Sequence, residues 1–436
     1  MKKLKTWARW LGWALAGLLL SWLVSCQSNP APPVNSDLAS QNRGIEFWTM
    51  QLQPKFTPYF TTLMERFQKQ PLGTAVKWVD IPWDAMESKI LTAVAANTAP
   101  DVVNLNPKFA AQLAAKNAWL DLSEQVPPAV QAQYLPSIWQ ANSLAGKTFG
   151  FPWYLTTKIT VYNQALLEKA GLTKPPATFA ELARDAKIIK EKTGKYAFFV
   201  TLAPADSGEV LESLVQMGVT LLDAQGKAAF NSPAGKEAFQ YWVDLYQQGL
   251  LPPEILTQGH RYAVELYQSG AIALLSSGAE ALASIETNAP NIIKVSGAAP
   301  QIRGTTDKIN VAVMNLVIPR QSRNPQAALE FAQYVTNPEN QLAFAQQANV
   351  LPSAIAAIED YIKALDQEPQ TTVLQQARRV SASQLAKAEV LIPPRKNINM
   401  LQKAIYENLA AAMLKQKTVD QALAEAAQIW DSQNPT

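Results

Sequence analysis

Apolar residues along this chain alternate between short continuous runs and helical repeats, the pattern of an α/β protein. Ile45 to Thr49 reads as a first strand, Val76 to Ile81 as a second, and Asp101 to Leu105, entered through Pro100, as a third. Between the first two, Phe60, Leu63, Met64 and Phe67 recur at i, i+3, i+4 and i+7 and predict a helix with one apolar face. Asp84 to Ala96 predicts the helix after the second strand. The middle of the chain is more helical. Thr178 and Glu181 form a capping box for a helix ending near Gly194, and Ser232-Pro233 opens another through Phe239, Trp242, Val243 and Tyr246 to Gly249. Phe198 to Val200, Ala271 to Leu275 and Val311 to Pro319 read as further strands. Asn324-Pro325 and Asn337-Pro338 each set an asparagine N-cap before a proline at N1. Thr418 and Gln421 cap a last helix whose inner face includes Leu423, Ala426 and Ile429. No internal repeat is present.

The N-terminal pattern is different. Lys2, Lys3, Lys5 and Arg9 precede an apolar run from Leu11 to Val24, too short to span a bilayer comfortably and right for a signal-peptide core. Leu23-Val24-Ser25-Cys26 closes it and resembles a lipobox, in which the cysteine is lipidated and the leader removed. An ordinary signal peptide with an incidental cysteine is the competing reading. Either way the mature chain lies outside the cytoplasm, on the periplasmic face if the envelope is of Gram-negative type. Gln27 to Arg43, with Pro30, Pro32 and Pro33 among serines and asparagines, reads as a flexible spacer. No later segment has the length of a membrane helix, so lipid would be the sole anchor.

Charge and composition then narrow the function. The net charge is +3, from 38 basic and 35 acidic residues; without the four basic residues of the leader, 34 face 35 and the balance is −1. No basic field exists to attract nucleic acid. Cys26 is the one cysteine, so no disulfide forms within the chain, and His260 is the one histidine. Histidine triads and multi-histidine metal sites are therefore excluded, and His260 itself reads as a surface or helix-end residue. No glycine-rich phosphate loop follows a strand. Carboxylate pairs could support glycoside hydrolysis, but Glu181, Asp185 and Glu191 read as caps and solvated faces. What remains is aromatic and amide chemistry at strand ends: Trp48, Trp83, Asn104, Asn106 and the Pro152-Trp153-Tyr154 segment. In open α/β sheets ligands bind beyond the carboxyl ends of the strands. Indoles there can stack on the C–H face of a sugar while amides meet its hydroxyls. Taken singly, each tryptophan reads as core filling.

Several segments together resemble the extracellular solute-binding proteins of ATP-driven sugar importers, the group that includes maltose-binding protein. They are Phe47-Trp48-Thr49, Ala99-Pro100-Asp101-Val102-Val103, Gly150-Phe151-Pro152-Trp153, the run from Val161-Tyr162-Asn163 to Gly171-Leu172, Pro176-Ala177-Thr178-Phe179, Val317-Ile318-Pro319, Asn324-Pro325-Gln326-Ala327-Ala328 and Leu351-Pro352-Ser353. The resemblance spans the mature chain. It implies an α/β, two-lobed periplasmic-binding-protein fold of type II, with several hinge crossovers and the ligand between the lobes. One lobe would hold about 44–151 plus 309–351, the other 152–308 plus 352–436. Ligand-facing positions implied by the resemblance are Trp48, Gln51 and Gln53 from the first strand and its loop, then Trp83, Asn106, Tyr154 and Asn315. From the second lobe come Asp206 and Ser207, in the loop after Phe198–Val200, and Gly278 and Glu280.

Three departures bear on the ligand. Relatives often place an aromatic residue where this chain has Ala279-Glu280-Ala281, and paired glycines where it has Val313-Met314-Asn315. Pro393 to Leu401, where maltose-binding protein presents a stacking tryptophan, holds no aromatic residue. A smaller or more polar glycoside than a long α-glucan is expected. Lys108, Arg303 or Arg395 could meet an anionic group, or be surface charges. The resemblance implies a monomeric binding lipoprotein that needs no cofactor or metal and delivers a carbohydrate to permease subunits. Another solute (a polyol, a glycerol-phosphate diester or a polyamine) and a secreted glycoside hydrolase are the alternatives.

Overall fold

Gly44 to Asn434, apart from residues 204–205 and 370, are described by a computed structural model. The leader, Cys26 and the spacer to Arg43 lie outside the described residues. Strands β1 (Ile45–Met50), β2 (Val76–Ile81) and β3 (Val102–Leu105) run parallel, with Trp48 opposite both Val79 and Val103. The helices Thr57–Gln68 and Trp83–Ala95 connect them. Crossover helices return the chain to one end of the sheet, so the carboxyl ends of β1, β2 and β3 share one edge. As predicted, Phe60, Leu63 and Phe67 are the buried face of the first helix.

A small hairpin, β4 (Ser143–Leu144) with β5 (Lys147–Thr148), precedes β6 (Phe151–Thr157), and Lys158 alone separates β6 from β7 (Ile159–Asn163). Then follow β8 (Leu274–Ser277), β9 (Ser296–Pro300), β10 (Ile309–Val317), β11 (Leu351–Pro352) and β12 (Ala388–Glu389). One sheet has seven strands in the order β11-β6-β10-β3-β1-β2, with β12 also on β10; a second has three, β8-β7-β9. Strand β10 is antiparallel to both β3 and β6, setting Asn315 opposite Leu105 and Pro152, and Met314 opposite Tyr154. Tyr154 therefore lies just past the end of β3, on the edge where β1 and β2 also end.

Each sheet has its own apolar core. Phe47, Phe60, Trp153, Phe331 and Phe344 cluster on one face of the large sheet, and Met50, Ile81, Met86, Ile90 and Leu105 on the other. Val161, Phe239, Trp242, Leu275, Leu409 and Trp430 belong to a third cluster, built on the small sheet. The chain passes between the two bodies at Lys158 and again between β9 and β10. The helix Val373–Ser383 touches both, with Ala377 in the small-sheet core and Ala382 in the large-sheet core.

The predicted caps on four helices are present: Thr178 with Gly194 in the left-handed region at φ 72°, Ser232, Asn337, and Thr418 with Gln421; Asn324 precedes its helix without a side-chain cap bond. Three further expectations need correction. Phe198 to Val200 is buried but forms no ladder, because the pairing falls earlier, with Tyr196 bridged to Ile272 and the Ala197 carbonyl accepting from Leu274 N. The ladder expected over 271–275 is accordingly displaced to Leu274–Ser277. Ile429 is exposed, the buried face of its helix being Leu423, Ala426, Ala427 and Trp430.

Candidate functional site

The loop after β1 is built by a residue of β2. Asp80 accepts from Thr49 Oγ1 at 2.6 Å through Oδ1, which also takes the amide of Leu52 at 3.0 Å, while Oδ2 takes that of Gln53 at 2.9 Å. Trp78 Nε1 donates to the same threonine hydroxyl at 2.7 Å. The turn holds Gln51 at φ 54°, and Gln51 and Gln53 both present exposed side chains beyond the strand. Trp83 opens the next helix and leaves 44% of its surface to solvent, an unusual cost for an indole. Asn106 follows β3, where its Oδ1 caps a helix by accepting from Phe109 N at 2.9 Å. Tyr154 is partly buried, its ring against Trp153 and Phe344, and burial together with the Glu280 carboxylate pushes its phenol well above the ordinary range.

Two predicted positions on this edge are taken up by the interior. Trp48 is only 6% exposed, packs with Met50, Ile81 and Met86, donates Nε1 to Glu46 Oε1 at 2.5 Å, and carries the Lys89 ammonium 4.8 Å from its ring centre. Strand pleating aims it into the core beneath the helix Trp83–Ala95 and not past the strand end. Asn315 is fully buried at a register shift in β10, with Nδ2 donating to Val313 O at 3.3 Å and Oδ1 unpartnered. Its neighbour Asn104 donates to Asn315 O at 3.3 Å and likewise has an unpartnered Oδ1.

The small-sheet body contributes a polar wall around residues 206–212. Asp206 Oδ1 accepts from the backbone of His260 at 3.0 Å, and a β-carbon on Gly259 would sit 2.2 Å from its other oxygen, so a side chain there would push Asp206 away. The Ser207 carbonyl accepts from Gln402 Nε2 at 2.9 Å and Tyr406 Oη at 2.8 Å, and its hydroxyl accepts from Glu209 N at 3.2 Å. Lys158, at the crossover between the sheets, pairs with Glu212 at 3.0 Å and Glu209 at 3.8 Å. Burial opposes its charge, but Glu212 and Glu209 outweigh burial and hold the ammonium above its ordinary value. His260 is the first residue of its helix, as expected, with Nε2 3.4 Å from Ser277 Oγ, and burial lowers its pKa from the ordinary 6.5. Just beyond Ser277, Glu280 folds back over Gly278, where a β-carbon would lie 2.0 Å from Oε2. Burial raises the Glu280 carboxyl above the ordinary 4.5, with a hydrogen bond from its own backbone amide and, less, Lys55 acting in the other direction.

Glu280 therefore links the two groups of residues. It acts electrostatically on Tyr154 of the large sheet and is acted on by Lys55 of the β1 loop, while its own strand adjoins His260, Asp206 and Ser207. Lys55, Asp80, Lys158, Glu209, Glu212, Gln402 and Tyr406 were not foreseen. The hydrogen bonds of Asp80, Lys158, Gln402 and Tyr406 join residues 27 to 199 positions apart, a separation no local pattern encodes. Arg303 pairs with Asp307, and Arg395 borders a cavity of about 300 Å³ with Val219, Thr306, Lys308 and Ile392; that cavity includes none of the predicted site residues. Among the described residues no cluster of three or more His, Cys, Asp or Glu side chains could hold a metal, and no helix is long and apolar enough to cross a membrane.

The profile of a family described as bacterial extracellular solute-binding protein matches residues 53–342. A protein from Synechococcus sp. MITs9220, provisionally assigned as an oligosaccharide periplasmic-binding protein and solved with and without zinc, is 46% identical. Its alignment covers 89% of this chain and 98% of that one, with TM-scores of 0.85 and 0.84. The mannitol-binding protein of Pseudomonas aeruginosa is 25% identical over 63% of this chain and 65% of its own length. The maltose-bound MalE3 of T. maritima has the same fold, with a TM-score of 0.74 at 22% identity over 90% of this chain and all of that one.

Proposed function

This chain belongs to the bacterial extracellular solute-binding protein family, and from that membership we propose that it captures a carbohydrate between its two bodies and hands it to the permease of an ATP-driven importer. The observation that carries the reading is convergence. The β1 loop, Trp83, Asn106 and Tyr154 gather at one edge of the large sheet, and Glu280 reaches them from the body that also holds Asp206 and Ser207. An exposed indole and a tyrosine ring offer stacking faces; Gln51, Gln53 and the carboxylates offer hydrogen bonds to hydroxyls. Trp48 and Asn315 support this floor from the interior. Gly278 leaves room for the Glu280 carboxylate.

The lobes follow the cores. The large-sheet lobe takes 44–157 and 309 to about 367, since Tyr361 and Leu365 pack in its core, and the small-sheet lobe takes 159 to about 306, with Ile302 in its core, and the segment from about 391. Lys158 and the β9–β10 connection act as hinges, so ligand binding shifts an equilibrium between separated and apposed lobes. Cys26 carries the lipid, the spacer to Arg43 tethers a monomer near its permease, and the work is done outside the cytoplasm. No bond in the ligand is made or broken. A polyol is the second reading, favoured by the similarity to the mannitol-binding protein.

Native mass spectrometry of protein purified from its own source tests the reading, with chromatography of any recovered ligand. A co-purified saccharide returned intact after incubation is expected. Cleavage products would favour a hydrolase instead, and a bound non-carbohydrate solute would replace the proposed ligand class.

A further inference from the structure

The charges around the proposed ligand do not balance. On the small-sheet wall the carboxylates of Asp206, Glu209 and Glu212 act on one ammonium, Lys158, and burial holds His260 toward its neutral form; Glu280 is acted on separately, by Lys55. The wall's ammonium is already divided, because Lys158 serves both Glu212 and Glu209 at 3.0 and 3.8 Å. Lys55 is felt by Glu280 but forms no ion pair with it; its ammonium stands 5.1 Å from the Phe56 ring centre. Among the described residues Glu280 has no ion pair and no side-chain hydrogen-bond donor; its own backbone amide is the donor it has. Glu280 nevertheless occupies the position between the lobes, folded over Gly278 and facing Tyr154.

Resting on the carbohydrate reading above, we propose that the ligand carries a basic amine, as an amino sugar or an amine-bearing glycoside does, and that Glu280 receives its ammonium group. An ionised carboxylate withdrawn from water without a cation is unfavourable. A sugar hydroxyl offers it one neutral hydrogen bond, whereas an ammonium supplies a charge-assisted bond and cancels the charge. Asp206 and the divided Lys158 pair extend the same negative potential along the wall, which favours a cationic ligand over an anionic one. Tyr154 and Trp83 then serve the ring carbons, and the glutamines of the β1 loop serve the remaining hydroxyls. An aromatic residue in place of Glu280 would suit a neutral glucan; a carboxylate there suits a charged sugar.

The test is titration calorimetry with matched pairs differing only at one substituent: glucosamine with glucose, galactosamine with galactose, and the free-amine dimer of glucosamine with cellobiose. Putrescine serves as a sugar-free amine. At least one amine-bearing sugar should bind about tenfold or more tightly than its hydroxyl partner, and the ratio should fall toward one in Glu280→Gln, with thermal melting reporting that this variant is folded. Hydroxyl partners that bind as tightly as the amines, or a ratio that survives in Glu280→Gln, overturn the proposal and leave the carbohydrate reading standing. Putrescine binding with no sugar bound overturns both, as does the absence of binding by every probe.

Discussion

Trp48 lies within β1 while Trp83 follows β2, and their surroundings assign them opposite tasks. Trp48 is enclosed by Met50, Ile81 and Met86, so Trp48→Ala should cost about 3–5 kcal/mol of stability in denaturant unfolding. Trp83 is exposed, so Trp83→Ala should leave the unfolding midpoint nearly unchanged while weakening ligand affinity and reducing the ligand-induced change in tryptophan emission. A large stability loss from Trp83→Ala would contradict this placement. The two titratable groups carry opposite pH signatures. Because the folded Glu280 carboxyl titrates above its ordinary 4.5, the unfolded chain ionises first, and stability is lost as pH rises through that window. Glu280→Gln should therefore raise the melting temperature at pH 7, with the gain vanishing below pH 4.5. His260 is depressed below 6.5, so the unfolded chain takes up its proton first, and stability falls as pH drops below 6.5. Carboxylates at Asp206, Glu209 and Glu212 soften that loss, while Lys158 deepens it. His260→Asn should flatten the slope, measured as melting temperature against pH.

At the scale of elements, what could be read in advance was what is locally encoded. The helix Thr57–Gln68 announced itself by the spacing of Phe60, Leu63 and Phe67, and Thr418 with Gln421 marked a helix start by their own side-chain chemistry. Phe198 to Val200 has a strand's composition but finds no partner, since pairing is decided by Ile272 and Leu274, more than seventy residues on. The site was legible to the level of which loops contribute and not which atoms. Gln51 and Gln53 were identifiable, but Asp80, which holds their loop, was invisible because a lone aspartate at a strand end has many possible uses. Asp80→Ala removes a charged acceptor from two backbone amides and a hydroxyl and should cost about 2 kcal/mol. It should also increase hydrogen exchange at Leu52 and Gln53 while leaving the small-sheet body unaffected.

Across the whole molecule, two cores are joined by short crossovers, and a ligand seated as proposed would act on both lobes at once. The Lys158 pairs tie one crossover to the helix Glu209–Gln216, which begins beside Asp206 and Ser207. A spacer held by lipid at Cys26, as proposed, would add nothing to affinity but would raise the effective concentration at the permease. Replacing Cys26 should thus preserve binding and reduce uptake. The central claim, a carbohydrate held between the lobes, is tested most directly by hydrogen–deuterium exchange with and without the sugar that binds. Protection is predicted in both bodies at once, over 51–56, 206–210 and 277–281. Protection restricted to one body, or centred on the cavity beside Val219 and Ile392, would contradict it.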